Sequence, residues 1–355
     1  MTLADRLRAR IAAAGPMTLA DYMAECLFDP EGGYYATRDP LGRAGDFTTA
    51  PEISQMFGEL AGLALAQSWI DQGRPAPFAL AELGPGRGTL MADIWRAAGV
   101  VPGFRDAARV HLVEASPVLR AVQARWLRDL PVDWHDTADT LPDAPLWLVA
   151  NEFFDALPIR QFQRDGAAWR ERVVGLRDGA LVLGLTDPAP RPDLAERLAD
   201  TPEGGIVELR PAAAPIMAAV ALRIAAHGGA ALIIDYGDWR SRGDTFQALR
   251  DHAFADPFTD PGAADLTAHV EFEALARAAA GLRASRLTPQ GVWLDRLGIG
   301  QRAARLAEKL QGADRVSHIA ATRRLTDAAE MGNLFKVLAL VAPGAPMPPG
   351  LEPEP

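Results

Sequence analysis

Phe78-Ala-Leu-Ala-Glu-Leu-Gly-Pro-Gly-Arg-Gly-Thr-Leu90 is the stretch that decides the fold. A short apolar run carrying one acid, Glu82, breaks into glycines at alternate positions, Gly84, Gly86 and Gly88. Apolar residues resume at helical spacing in Leu90, Ile94 and Trp95. This pattern predicts a buried strand turning tightly into a helix, with bare backbone where a ligand can approach. A dinucleotide fingerprint needs glycines at the first, third and sixth positions of such a turn. Here the sixth position is Thr89, and the third glycine stands one residue early.

An acid two residues before the first glycine, followed by G-x-G-x-G, instead resembles the first motif of class I S-adenosyl-L-methionine (SAM) methyltransferases. SAM carries a sulfonium and an amino-acid tail but no pyrophosphate, so a phosphate cradle is not required. Gly84, Gly86 and Gly88 are therefore expected to lie against the cofactor, where side chains at Gly84 or Gly86 would collide with its methionine portion. Glu82 is placed to bind the cofactor's ammonium by a charge-assisted hydrogen bond. A glycine-rich turn without a ligand, or a nicotinamide or flavin site, are the alternative readings.

The chain has 355 residues, 49% of them apolar and 23% charged, enough for a large core in one elaborated α/β unit or two domains. A net charge of −10 argues against a broad nucleic-acid surface. Cys26 is the only cysteine, which excludes an intramolecular disulfide and fits a reducing compartment. No apolar run reaches the roughly 18 residues needed to span a bilayer. The six histidines are scattered, and none is spaced as a metal ligand, so no metal site is expected. Arg6, Arg8 and Arg10 with Leu3, Leu7 and Ile11 read as an ordinary first helix, although a mitochondrial targeting peptide has some of the same features.

The fold class expected is α/β, a Rossmann-like and mostly parallel sheet with an N-terminal helical region and an inserted antiparallel β-meander. Residues 1–75 form the helical region and a loop covering the cofactor or substrate. Residues 76–342 form the core, with insertions at about 158–205 and 237–268, and 343–355 are a Pro-rich tail expected to fray. Strands are predicted at 78–83, 109–114, 146–151, 230–236 and near 132–135, with helices at 89–98 and 117–129. Asp165-Gly166 and Asp178-Gly179 supply hairpin turns for the meander. Residues 237–268 are polar with little regular pattern, the composition of a lid or a disordered loop.

Ligands of open α/β sheets sit beyond the carboxyl ends of the strands. Glu114 ends the second strand, where a carboxylate would take both ribose hydroxyls of SAM; a helix cap before Ser116-Pro117 is the plainer role. Asp136, in Trp134-His-Asp136, is a candidate adenine contact or a surface turn. Asn151-Glu-Phe-Phe-Asp155 ends the third main strand. Asn151 and Phe154 match the Asn/Asp-x-x-aromatic outline of amino-group methyltransferases, without its usual prolines. Asn151 would aim a substrate nitrogen, while Glu152 and Asp155 would pair with a cation such as guanidinium. Arginine's pKa exceeds about 12, so a carboxylate must localise charge and take the proton; Glu152 is the first choice. All three also read as caps of the following turn.

With these residues the chain resembles the MidA-like family of SAM-dependent methyltransferases, which includes the mitochondrial complex I assembly arginine methyltransferase. The shared segments are Gly45–Gly58, Glu82–Leu90, Asn151–Pro158, Ile234–Gly237, Ala264–Val270 and Gln290-Gly291. The resemblance implies a class I core, SAM as cofactor, and symmetric dimethylation of an arginine near the N-terminus of the 49-kDa-type subunit of NADH dehydrogenase. It implies a protein partner, with no nucleic acid and no membrane insertion. The expected location is a bacterial cytoplasm, or the mitochondrial matrix in a eukaryote. By position, Asp46, Thr48 and Thr49 are assigned to cofactor or substrate contact, against a turn. Asp235 and Tyr236 are assigned to the substrate side, against capping. His269 is a proton relay or a structural histidine. Methylation of a small molecule or another side chain, and a SAM-binding chaperone without turnover, remain as alternatives.

Overall fold

The computed structural model describes residues 1–37 and 48–354; Asp46 lies outside them. The chain divides into two units, each assembled from separated stretches. The larger takes Thr48–Phe154, Ala214–Trp239 and Glu271–Pro355, and the smaller takes Met1–Phe47, Asp155–Ala213 and Arg240–Val270.

The larger unit is built on a sheet whose long strands are β1 (Phe78–Leu83), β2 (Ala108–Val113), β3 (Val132–His135), β4 (Leu146–Asn151), β5 (Gly229–Asp238) and β6 (Phe335–Val341). They run in the order β6-β5-β4-β1-β2-β3. Every neighbouring pair is parallel except β5 and β6. Strands β1 and β4 are buried at every position, as continuous apolar runs covered on both faces must be. The order reverses between β1 and β4, so the crevice beyond their carboxyl ends is the topological switch point. The glycine turn and Asn151 both lie there.

Three helices bear on that crevice: α1 (Gln55–Asp71), α2 (Thr89–Ala98) and α3 (Pro117–Trp126). Helix α1 is apolar around nearly its whole circumference and is correspondingly buried. Gly58 and Gly62 let α2 approach its backbone, since a Cβ at these positions would fall 2.5 Å from Asp93 Cβ and 2.7 Å from Ile94 Cα. Gly58, shared with the family, is thereby explained by packing. Glu59 on the same helix is buried and grips Arg302 through both oxygens (2.8 and 3.0 Å) and Arg96 (2.8 Å). The α1–α2 pair is thus a fixed support for the turn that precedes α2.

Two expectations fail here. The tail beyond Pro343 is docked: Leu351 is buried, Pro349 O accepts from Trp293 Nε1 (3.2 Å), and Arg286 N donates to Glu352 O (2.8 Å). Proline removes backbone donors but leaves carbonyls to accept, and the tail binds largely through them. Residues 237–268 are also more regular than their composition suggests. Gln247–Arg250 pairs antiparallel with Ala253–Ala255 on one side and Asp265–Thr267 on the other.

Those strands belong to the smaller unit, together with helices Leu3–Ala14 and Leu19–Phe28. Its meander runs through Arg160–Asp165, Ala168–Arg177 and Ala180–Leu185 and is antiparallel throughout. The first helix carries a complete capping box between Thr2 and Asp5 and buries Leu3, Leu7 and Ile11, so its arginines belong to a packed amphipathic helix.

Candidate active site

Strand β1 ends at Leu83, and Gly84, Gly86 and Gly88 follow in left-handed backbone with φ of +61°, +54° and +86°. Gly84 has a second constraint, because a Cβ there would sit 2.7 Å from Cδ2 of the Phe153 ring. The turn closes through Gly84 N to Val113 O (3.0 Å) and Gly88 N to Pro85 O (2.7 Å). Thr89 Oγ1 then donates to Glu52 Oε1 (2.5 Å), tying the start of α2 to the short helix Ala50–Ile53.

Glu82 is enclosed, and its Oε2 has no hydrogen-bond partner among the described residues. Burial pushes its carboxyl up to about 8, the Met91 backbone amide opposes this, and the nearby Glu114 charge adds to it. An isolated buried carboxylate is costly, so this group is suited to receive a cation such as an ammonium.

Glu114 follows β2. Its Oε1 accepts from Ser116 N (2.8 Å) and its Oε2 from Gln123 Nε2 (3.1 Å). Burial raises its pKa, against the Ser116 backbone, the Gln123 amide and the Arg120 charge. Asp136 is exposed and paired with Arg120 Nη2 (2.6 Å) at the surface.

Across the switch point, Asn151 ends β4 with its Oδ1 buried and without a partner among the described residues. Its Nδ2 donates to Glu152 Oε1 (3.0 Å), which also accepts Ala50 N (2.9 Å). Glu152 itself has φ of +50°, unusual for a side-chain-bearing residue. Its backbone N–H is held by Ile234 O on β5 (2.9 Å). Thr48 and Thr49 lead into this contact half-buried, and Thr49 stands at the N-cap of Ala50–Ile53 without a side-chain cap bond.

The aromatic assignment needs correction. Phe154 is fully enclosed, because its backbone N–H is pulled onto Asp235 Oδ2 (3.0 Å) and its ring turns into the interior. Phe153 is the half-buried ring that meets the glycine turn, stacked edge-on against Phe154 at 5.1 Å. Asp235 is likewise enclosed, with Oδ1 accepting Tyr236 N (2.9 Å). It acts as a backbone clasp, while half-buried Tyr236 packs on Phe335.

Asp155 and His269 fall in the smaller unit. The Asp155 carbonyl accepts Ala268 N (3.1 Å), and His269 N donates to Thr245 Oγ1 (2.9 Å). In the same segment Asp265 accepts the Tyr35 hydroxyl (2.9 Å).

Sequence alone assigns no role to Gln123 or Glu52, and Phe153 enters only as one of the two aromatics after Asn151. Gln123 had a signal: it recurs four residues after Leu119 on the buried stripe of α3, where a polar residue is out of place. Phe153 had the same signal as Phe154, a place just beyond a strand end, and Glu52 had none.

Residues 60–290 match a family of S-adenosyl-L-methionine-dependent methyltransferases. Protein arginine methyltransferase NDUFAF7 homolog, mitochondrial, of Drosophila melanogaster is 36% identical, with 96% of this chain and 84% of that protein covered. Its Homo sapiens counterpart is 37% identical, with 94% and 81% covered. A protein from Burkholderia thailandensis, solved bound to S-adenosyl-homocysteine, superposes with a TM-score of 0.84 at 33% identity, covering 98% of this chain and 93% of its own. The family resemblance, the α/β class and SAM as cofactor agree with these matches.

Proposed function

We propose, for a chain that belongs to the family of S-adenosyl-L-methionine-dependent methyltransferases, the transfer of methyl groups to an arginine nitrogen of a protein. The observation that carries this reading is the orphaned buried oxygen of Asn151, held beside Glu152 and facing the same switch point as the orphaned oxygen of Glu82. When bound, SAM supplies a methyl group already activated on sulfonium. Glu82 would hold its ammonium and Glu114 its ribose, with the glycine turn beneath.

Asn151 Oδ1 would then accept an N–H of the arriving nitrogen and fix the direction of its lone pair. Alignment of this kind contributes much of the acceleration of a displacement at carbon. Guanidinium must lose a proton as the bond forms, and Glu152 is the carboxylate adjacent to Asn151 that would receive it. Asp155 is the next carboxylate along the chain. The Asn151 amide donates to Glu152 Oε1, so the two side chains orient one another. Thr48 and Thr49 would line the approach, and Tyr236 would serve the substrate side.

The names of the 36–37% identical relatives support arginine in a protein over a small molecule. Narrowed further, the acceptor we propose is an arginine near the N-terminus of the 49-kDa-type NADH dehydrogenase subunit, dimethylated during complex I assembly in the compartment where that subunit matures. No helix among the described residues is long and apolar enough to cross a membrane. The test is mass spectrometry of that subunit from cells with and without the protein. Loss of a dimethylarginine signal is expected on deletion. An unchanged subunit, with turnover on a small amine, would return the reading to small-molecule methylation.

A further inference from the structure

Gln123 makes contacts that neither cofactor binding nor ordinary packing has yet used. Its side chain is wholly enclosed on α3. Nε2 donates to Gly86 O (2.8 Å) and to Glu114 Oε2 (3.1 Å), and Oε1 accepts from Trp134 Nε1 (2.9 Å). Which atom is nitrogen follows from the partners. A carbonyl and a carboxylate accept, an indole N–H donates, and only one orientation of the amide satisfies all three. No other side chain of this length offers two donors and an acceptor in one plane.

We infer that Gln123 is a positioning residue for the cofactor: one amide sets the glycine turn, the acid after β2 and the aromatic on β3 in register with one another. The bond to Gly86 O fixes the peptide plane through which the turn presents its backbone, because C=O and N–H of a trans peptide point oppositely. The bond to Glu114 holds one carboxylate oxygen and so fixes the orientation of the acid to which the ribose role is given. The inference rests on Glu114 binding the ribose, as proposed above.

The charged surroundings of Glu114 matter to the test. Glu82 on β1 repels it, Arg120 on α3 attracts it and hydrogen-bonds its carbonyl (2.7 Å), and Asp136 after β3 is bound by that arginine. His135 on β3 accepts the Glu114 N–H through its carbonyl (2.9 Å). Removing the Gln123 donor leaves these in place and takes away one bond that favours the ionised acid.

The experiment is calorimetric titration of S-adenosyl-homocysteine between pH 5 and 9 into wild type, Gln123→Met, Gln123→Glu, Trp134→Phe and Glu114→Gln, each first checked by thermal melting. Gln123→Met is expected to weaken binding about tenfold, the scale of a lost charge-assisted bond with a stranded carboxylate. Its loss of affinity on acidification should begin at higher pH than in wild type. Gln123→Glu should be weaker still at pH 8, because it sets an anion against Glu114 and the Gly86 carbonyl. Trp134→Phe, which removes the indole N–H and keeps a smaller aromatic ring, should weaken binding about two- to threefold even if both Gln123 variants fail to fold. Wild-type affinity and an unmoved pH profile in the folded variants would overturn the inference. If Glu114→Gln alone binds as wild type does, the ribose assignment fails instead.

Discussion

Ala50 donates its backbone N–H to Glu152 Oε1 across 2.9 Å, linking the entry of a short helix to a residue 102 positions later. The same oxygen takes the Asn151 amide. Glu152 therefore arrives at the site already oriented, and this oxygen is engaged before any substrate enters.

Glu152→Gln is isosteric and still offers an oxygen to Ala50, so the fold and cofactor affinity should hold within about twofold. Turnover should fall by about a hundredfold, the usual scale for removing a proton acceptor. Parallel single-turnover assays and S-adenosyl-homocysteine titrations separate the two quantities. Full turnover with normal binding would remove Glu152 from proton handling.

Glu82 predicts an unusual pH dependence of the ligand-free protein. Its folded pKa of about 8 lies above the unfolded value near 4.3. Between those values the native state holds a proton that the unfolded state lacks, so stability falls as pH rises. The contribution is complete below the unfolded pKa and lost as pH passes about 8. Glu82→Gln should therefore melt progressively higher than wild type from pH 5 to 8.5, while binding S-adenosyl-homocysteine at least about tenfold more weakly. A melting difference that stays flat with pH would contradict the raised carboxyl.

Gly84→Ala meets two separate obstacles. The left-handed backbone at φ +61° costs about 1–2 kcal/mol for a residue with a Cβ, and that Cβ would press on Phe153. Adding Phe153→Ala should return the steric part and leave the backbone part. Chemical denaturation of the single and double variants should show non-additivity of this sign. Simple addition of the two losses would mean the ring does not constrain the turn.

Asp235→Asn tests the clasp on Phe154. The carboxylate accepts two backbone N–H groups, from Phe154 and Tyr236, whereas an amide turns a donor toward one of them. We expect a loss of about 1–3 kcal/mol in stability and a fall in turnover through displacement of Asn151 to Phe154. Urea melts and steady-state rates measure both; unchanged values would make the clasp incidental.

Much of the central sheet was legible because β1 and β4 are continuous apolar runs and the glycine spacing marks one kind of turn. Glu82, Glu114 and Asn151 stand out as candidates by their position at strand ends. What escaped notice depends on direction, which a list of residue types does not carry. Phe153 and Phe154 are chemically identical, and residue type does not say which ring is enclosed and which meets the glycines. Gln123 falls on a buried stripe, but only its three partners show what its amide holds. The docked tail was missed because proline-rich composition speaks of absent donors and says nothing of acceptors.

The clasp between Phe154 and Asp235 joins residues 81 positions apart. As the chain leaves the ribosome, strands β1 to β4 emerge with the glycine turn complete, but without Ile234 or Asp235 to hold Glu152 and Phe154. The Asn151–Phe154 end of the crevice is thus the last part of the switch point to be fastened during synthesis. A chain truncated before β5 would retain the glycine turn with Glu82 and Glu114 and lose the two holds that shape the turn carrying Asn151 and Glu152.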